Sequence, residues 1–169
     1  MTFQIGERVV YPNQGVGVIE NISSRSFGAQ CERFYLLRLT YSSMTVMVPF
    51  SRVGNIGLRK ISKNTEIMRI LHFLAHGKIQ SSGDWKIRFK ENMDKMQSGS
   101  LISAAEVLKA LLILQHDKPL SFREKKMLDR ARHLLVTELS TARHIPDPEA
   151  LALLERTLAK ANLVLPALS

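Results

Sequence analysis

The fold is decided by residues 57–77, GLRKISKNTEIMRILHFLAHG, because the spacing of apolar residues changes within this stretch. Before it, apolar residues alternate with a period of two, as they do in β-strands. Within it, they recur at the spacing of one helix face, at Ile67, Ile70, Leu71 and Leu74. We expect Asn64 to cap this helix and Gly77 to lie just past its end. The change of period predicts two domains, residues 1–60 and residues 61–169.

The first domain is predicted to be a small antiparallel β-barrel or a strongly bent sheet. Its strands read RFYLLRL (33–39), in which Tyr35, Leu37 and Leu39 alternate with other side chains, and MTVMVP (44–49), in which Met44, Val46 and Val48 oppose Thr45, Met47 and Pro49. Gly15 and Gly17 mark a turn or a close approach of the backbone. About five short strands in about 60 residues leave no room for a large ligand cavity, so we expect this domain to act by binding through its surface.

The second domain is predicted to be an all-α helical bundle of about five helices. One helix is expected over residues 84–97, and another begins at Ser100 and is apolar on nearly every side, which is typical of a buried central helix. Ser121 and Glu124 form a capping-box pattern that starts a further helix. Asp147 and Pro148 are expected to start the last helix, with Pro148 at its first helical position.

Composition favours a polyanionic partner. The 169 residues carry a formal net charge of +9 and are 45% hydrophobic, which indicates a folded protein with affinity for nucleic acid or an anionic surface. No apolar run approaches the roughly 20 residues of a membrane-spanning helix. The N-terminal sequence MTFQIGERVV lacks the apolar centre of a signal peptide, and a single cysteine suits a reducing compartment. We therefore expect a cytoplasmic protein, monomeric and away from membranes.

Catalytic and metal-binding patterns are scarce. The sequence contains no GxxxxGK phosphate loop, no HExxH pair and no GxSxG elbow. His72 and His76 lie four residues apart and could share a metal, but structural metal sites use four ligands and no second cluster follows. Cys31 has no histidine near it in sequence, so a small apolar residue is the simpler interpretation. We predict a protein that is not an enzyme and that needs neither metal nor cofactor.

Cations flank the predicted helix after Ser121. On one side of its apolar stripe lie Arg123, Lys126 and Arg130, and on the other lie Lys125 and Arg132; an earlier helix carries Lys86, Arg88 and Lys90. Such residues are an ordinary solvated face if they are scattered and a phosphate-binding surface if both groups fall on one side of the bundle.

Trp85, the only tryptophan, allows two interpretations. Phe89, Met93 and Met96 share its helix face, which favours a place in the core. Trp85 also stands in the first turn, where a side chain on that face can project past the end of the bundle. An apolar side chain surrounded by cations is suited to separating base steps while phosphates are held.

Several stretches together resemble the CarD/CdnL family of bacterial transcription regulators. They are FQIGERVVYPNQGVGVIENI, FYLLRL, MTVMVP, VGNIGLRKI, NMDKMQSGSLISAAEVLKAL and LSFREKKMLDRARHLLVTEL, and they cover residues 3–139 in order. The resemblance implies an N-terminal Tudor/SH3-like β-barrel, similar to the polymerase-interacting domain of the transcription-repair coupling factor, and a C-terminal helical domain that contacts promoter DNA. It implies a protein that binds the β subunit of RNA polymerase and stabilises the open promoter complex.

The resemblance also implies which residues make contact. The polymerase-binding residues are Arg25, Thr45, Met47 and Pro49; the DNA-binding residues are Trp85, Lys86, Arg88, Lys90 and Lys125, to which the neighbouring cations Lys126, Arg130 and Arg132 are added. Some members of the family carry arginine where Met47 stands, so we expect an apolar contact at this position. The resemblance is loose after residue 139, and that segment is predicted to serve packing.

Two other functions are compatible with the sequence. The chain could be a protein-interaction module whose basic faces are only solvated surface, or a general nucleic-acid binder without a polymerase partner. Binding to purified polymerase and a comparison of forked with fully paired DNA separate the three functions.

Overall fold

The computed structural model describes residues 2–80 and 83–168. The chain divides into two compact units, residues 1–61 and residues 62–169. The first is an antiparallel sheet and the second is a set of helices, so the predicted fold class is confirmed.

The N-terminal unit is a five-stranded sheet in the order β4-β3-β2-β1-β5. Its strands are β1 (Arg8–Tyr11), β2 (Gly15–Phe27), β3 (Gln30–Leu39), β4 (Thr45–Pro49) and β5 (Arg59–Lys60). A 3₁₀ turn (Phe50–Arg52) and the single-turn helix α1 (Val53–Ile56) connect β4 to β5. The register of β2 against β3 shifts between Ile19 and Asn21, a bulge that bends the sheet.

Tyr35 organises the core of the sheet. It is buried together with Leu37 and Leu39, as the alternation predicted. The ring of Phe50 stacks on Tyr35 at 4.2 Å between centroids, and the backbone N–H of Phe3 donates to the Tyr35 hydroxyl at 3.0 Å. The core therefore joins the N-terminus of the chain to the turn after β4.

Gly17 permits close contact between β2 and β3. A Cβ atom at this position would lie 2.7 Å from Leu37 Cδ1 and 2.9 Å from the Arg38 carbonyl oxygen. Both distances are shorter than van der Waals contact, so the predicted close approach of the backbone is confirmed at Gly17.

The helical unit contains α2 (Asn64–His76), α3 (Trp85–Gln97), α4 (Leu101–Asp117), α5 (Phe122–Arg143) and α6 (Asp147–Ala159). The Ser121–Glu124 capping box is present in full. The predicted cap at Asn64 is wrong by one residue, because Lys63 holds the N-cap position and no side chain bonds there. Within the described residues, no helix has the length and apolar content needed to cross a membrane.

The central helix α4 buries one cation, Lys109, which is 3% exposed. Its Nζ donates to the carbonyl oxygens of Phe73 at 2.9 Å and Gly77 at 2.7 Å. These carbonyls belong to the C-terminal end of α2, where the Phe73 carbonyl also accepts the backbone N–H of Gly77 at 2.7 Å. Burial lowers the pKa of Lys109. Lys109 thus fixes the end of α2 and the start of the segment that leads to α3.

The beginning of α2 lies beside the later part of α5. The buried carboxylate of Glu138 accepts the backbone N–H of Ser62 at 2.8 Å, and Arg143 Nη2 lies 3.3 Å from Met68 Sδ. Glu138 is sixteen residues beyond Phe122, or about 24 Å along the helix axis. Residues at the start of α2 are therefore far from the first turn of α5.

Candidate functional site

Trp85 is the first residue of α3 and points away from the core. The Asp84 side chain caps the helix by accepting the backbone N–H of Lys86 at 2.9 Å. Met96 on the same helix face is buried and Phe89 packs against the core, whereas Trp85 is 62% exposed. Since Trp85 lies one turn before Phe89, its side chain extends past the end of the packed region. The interpretation of Trp85 as a core residue is therefore wrong.

The first turns of α3 and α5 are neighbours. Arg88 Nε lies 3.8 Å from Glu124 Oε2, and the guanidinium of Arg123 lies over the Phe89 ring at 6.0 Å from its centroid. The side of α5 that carries Arg123 therefore faces α3. We call the exposed cations at this end of the unit the basic rim: Lys86, Lys90, Arg123, Lys126 and Arg130.

Two predicted DNA-binding cations do not belong to this surface. Arg88 is 6% exposed and Arg132 is 9% exposed. Arg88 pairs with Glu124, and Arg132 Nη2 lies 3.8 Å from Asp129 Oδ1. A guanidinium group enclosed by its own bundle cannot reach a phosphate, so both residues are removed from the predicted set.

Lys125 is exposed but lies on another side of α5. At 3.6 residues per turn, it is about 200° from Arg123 around the helix axis. Its predicted phosphate contact rests on the resemblance alone, and it would require a DNA backbone that passes across the outer face of α5.

Two exposed apolar residues beside the basic rim were missed by the sequence analysis. Phe122 is 70% exposed and Ile87 is 50% exposed. Lys126 Nζ lies 4.8 Å from the centroid of the Phe122 ring, and Lys86 Nζ lies 5.9 Å from that of Trp85. The exposure of Phe122 could have been predicted from the sequence. Phe122 directly follows the cap residue of α5, and this position lies opposite the apolar stripe of the helix.

The predicted polymerase-binding residues share one face of the sheet. β4 is an edge strand, and its register pairs Met47 with Leu36 and Thr45 with Arg38. Arg25 on β2 pairs with Glu32 on β3. Because paired residues point to the same side and alternate residues of a strand do too, the four predicted side chains, Arg25, Thr45, Met47 and Pro49, lie on one side.

The predicted polymerase-binding residues on that face are partly or fully exposed. Met47 is 37% exposed, Thr45 and Arg25 are exposed, and Pro49 is half-buried. The Ser51 hydroxyl donates to the Glu32 carboxylate, which continues the row of side chains that contains Arg25. An edge strand with unpaired backbone groups and an apolar side chain beside them can receive a strand of another protein.

The remaining candidates are His72, His76 and Cys31. The rings of His72 and His76 lie 5.1 Å apart between centroids. Over residues 2–80 and 83–168, no three His, Cys, Asp or Glu side chains are grouped so that they could hold a metal ion. Cys31 is exposed on β3.

Comparison with known proteins accounts for both units. Residues 3–62 match the family model of the CarD-like/TRCF RID domain, and residues 69–155 match that of the CarD C-terminal domain. The chain belongs to the CarD family. A Bacillus subtilis (strain 168) relative named "Putative transcription factor YdeB" is 35% identical over 147 residues, which cover 87% of this chain and 96% of the relative.

Two solved structures of CarD-family N-terminal regions also match. CdnLNt from Myxococcus xanthus is 39% identical and covers 36% of this chain and 86% of its own, with a TM-score of 0.31. The 72-residue N-terminal domain of Myxococcus xanthus CarD, solved in solution, is 39% identical and covers 35% and 79%, with a TM-score of 0.30. The resemblance seen in the sequence is confirmed, and the CarD-like family is one of transcription factors.

Proposed function

We propose that this CarD-family chain binds the β subunit of RNA polymerase through its sheet and holds promoter DNA in the melted state through its helices. The observation that carries the proposal is the exposure of Trp85, which is 62% exposed on an otherwise core-facing side of α3. A large aromatic side chain is generally buried unless a partner covers it. We further propose that the chain acts by binding alone, as a monomer in the cytoplasm.

Trp85 acts as a wedge at the upstream edge of the melted region. Its indole enters between base steps from the minor-groove side and opposes re-pairing, as apolar side chains do in proteins that kink DNA. Lys86 and Lys90 stand on the same helix and bind the adjacent phosphates. The buried Arg88–Glu124 pair, at 3.8 Å, fixes the wedge relative to α5.

Binding of the sheet to polymerase makes a weak contact between the helical unit and DNA sufficient. Attachment of the N-terminal unit to polymerase raises the effective concentration of the helical unit at the promoter. Because the wedge contacts only melted DNA, the chain shifts the equilibrium by its difference in affinity for the melted and closed states. The direction of the effect on transcription then depends on which step limits a given promoter.

Replacing Met47 with Asp is expected to lower the affinity for polymerase about tenfold, because a charge would be placed in an apolar contact on an edge strand. Retention on immobilised polymerase measures this change. Met68→Asp is the matched control, since Met68 is 55% exposed on the helical unit. Equal retention of the folded Met47→Asp protein and the parent would remove β4 from the interface.

DNA affinity is expected to fall steeply with salt and to depend little on duplex sequence. Lys90→Gln and Lys126→Gln should each reduce the slope of log affinity against log salt by about one unit, because each lysine neutralises one phosphate. Lys125→Gln tests the contact implied by the resemblance in the same titration.

Lys63→Gln is the matched control for the salt titration. Lys63 is exposed next to Ser62, whose backbone N–H is bound by Glu138 near the other end of α5. Its replacement removes the same charge and should leave the slope unchanged. Equal slopes in the parent, Lys90→Gln and Lys126→Gln would reduce the basic rim to ordinary solvated surface.

The two other functions are separated from the proposed one by two measurements with the full chain. A pure protein-interaction module would bind polymerase and show no preference for forked over paired DNA. A general nucleic-acid binder would bind both DNAs and fail to bind polymerase. The proposed function requires polymerase binding together with tighter binding to forked DNA.

A further inference from the structure

Phe122 is an aromatic residue that the fold does not use. It is the first residue of α5 and is 70% exposed, although the capping box beside it needs only Ser121 and Glu124. The apolar stripe of α5 lies on the opposite side of the helix and contains the buried residues Met127 and Leu128. Removing Phe122 from water would therefore require a partner outside this unit.

The surroundings of Phe122 repeat those of Trp85. Each ring stands in the first turn of its helix with a lysine ammonium near it, Lys126 at 4.8 Å from the Phe122 centroid and Lys86 at 5.9 Å from the Trp85 centroid. In both cases an exposed aromatic ring is paired with a cation that can bind a phosphate.

The two aromatic residues stand at the same end of the helical unit. Arg123, the residue after Phe122, lies over the ring of Phe89 at 6.0 Å. Phe89 is four residues from Trp85, or about 6 Å along α3. One partner can therefore reach both rings across this short span of protein surface.

We propose that Phe122 and Lys126 form a second contact with the melted strand, in which the ring stacks on an unpaired base and Lys126 binds the adjoining phosphate. This inference rests on the proposed function and adds a residue to it. The positive charge of the basic rim favours a polyanionic partner over a protein surface that carries few acidic residues. An unpaired base can stack on the Phe122 ring directly, whereas a paired base could do so only if a side chain were first inserted between base steps. Single-stranded nucleic acid is therefore the class of ligand.

The test is a binding titration of the full chain with two DNAs of equal length, one fully paired and one forked with unpaired arms. Phe122→Ala is expected to weaken binding to the forked DNA about fivefold or more, because stacking of one base on an aromatic ring is lost. Binding to the paired DNA should change less than about twofold, because Lys126 and the rest of the basic rim remain.

Three further variants make the test specific. Phe122→Tyr should keep the affinity for forked DNA and Phe122→Leu should lose it, since a leucine supplies apolar surface without a ring. Phe27→Ala is the matched control, because Phe27 is 58% exposed on the sheet. Thermal melting of each protein shows that the fold is kept.

The outcomes separate this inference from the proposed function. If Trp85→Ala loses affinity for forked DNA and Phe122→Ala does not, the second contact is wrong and the wedge stands. Equal losses of Phe122→Ala on forked and paired DNA would also overturn it, since the ring would then serve a duplex contact. If the parent itself binds both DNAs equally, the proposed function and this inference fail together.

Discussion

Trp85→Ala is expected to shorten the lifetime of the open promoter complex about fivefold to hundredfold, with little change in the thermal stability of the protein. The first effect follows from the loss of an aromatic contact with a base, which contributes about 1–3 kcal/mol. The second follows from the position of Trp85, which is 62% exposed and leaves no cavity when it is truncated. Trp85→Phe should keep part of the activity, and binding to polymerase should not change.

Phe89→Ala is the matched control on the same helix face. Phe89 packs against the core of the helical unit and lies under the guanidinium of Arg123. Its truncation should lower the free energy of unfolding by about 2–3 kcal/mol, since the ring is only partly buried. Thermal melting and open-complex lifetime are measured for both variants. A Trp85→Ala protein that melts far below the parent, beside a Phe89→Ala protein that does not, would show that the indole serves packing.

Lys109→Met is expected to lower the free energy of unfolding by about 3 kcal/mol. Methionine fills a similar volume but removes both hydrogen bonds to the end of α2, and it leaves the partly buried carbonyl oxygens of Phe73 and Gly77 without this donor. Denaturant unfolding of the full chain measures the change. Lys118→Met, at the exposed end of the same helix, should have little effect. A small loss in Lys109→Met would mean that water replaces the ammonium.

The difference in unfolding free energy between the parent and Lys109→Met is expected to depend on pH. Burial lowers the pKa of Lys109 below 10.5, so the unfolded chain holds this proton more tightly than the native protein does. Between the lowered pKa and 10.5, unfolding takes up a proton, and the native state gains stability as the pH rises through this window. The Met variant lacks the group, so the difference in unfolding free energy between the two proteins should grow toward alkaline pH.

Periodicity predicted the elements well and the ends of elements less well. The buried alternation of Tyr35, Leu37 and Leu39 and the capping box at Ser121 follow from local rules, because each depends on neighbours in sequence. Trp85 shows the limit of such rules. Its helix face was evident, but its exposure depends on where the neighbouring helices end, which spacing within α3 does not contain.

The buried charges depend on partners that are distant in sequence. Arg88 was predicted to be a surface cation, but Glu124 on another helix gives it a partner inside the unit. Lys109 was a lone cation in an apolar helix, which is a signal of a buried hydrogen-bonding role. The carbonyl groups that it binds are 36 and 32 residues away, so their identity required the structure.

The bond between Ser62 and Glu138 has a consequence for the order in which the protein assembles during synthesis. Every strand pairing of the sheet lies within the first 61 residues, so the sheet can form while the helices are still being made. The start of α2, in contrast, is bound by a carboxylate 76 residues later in the chain. The nascent protein can therefore complete its sheet before Ser62 acquires its contact with Glu138, and the residues that lead into α2 are among the last parts to be fixed.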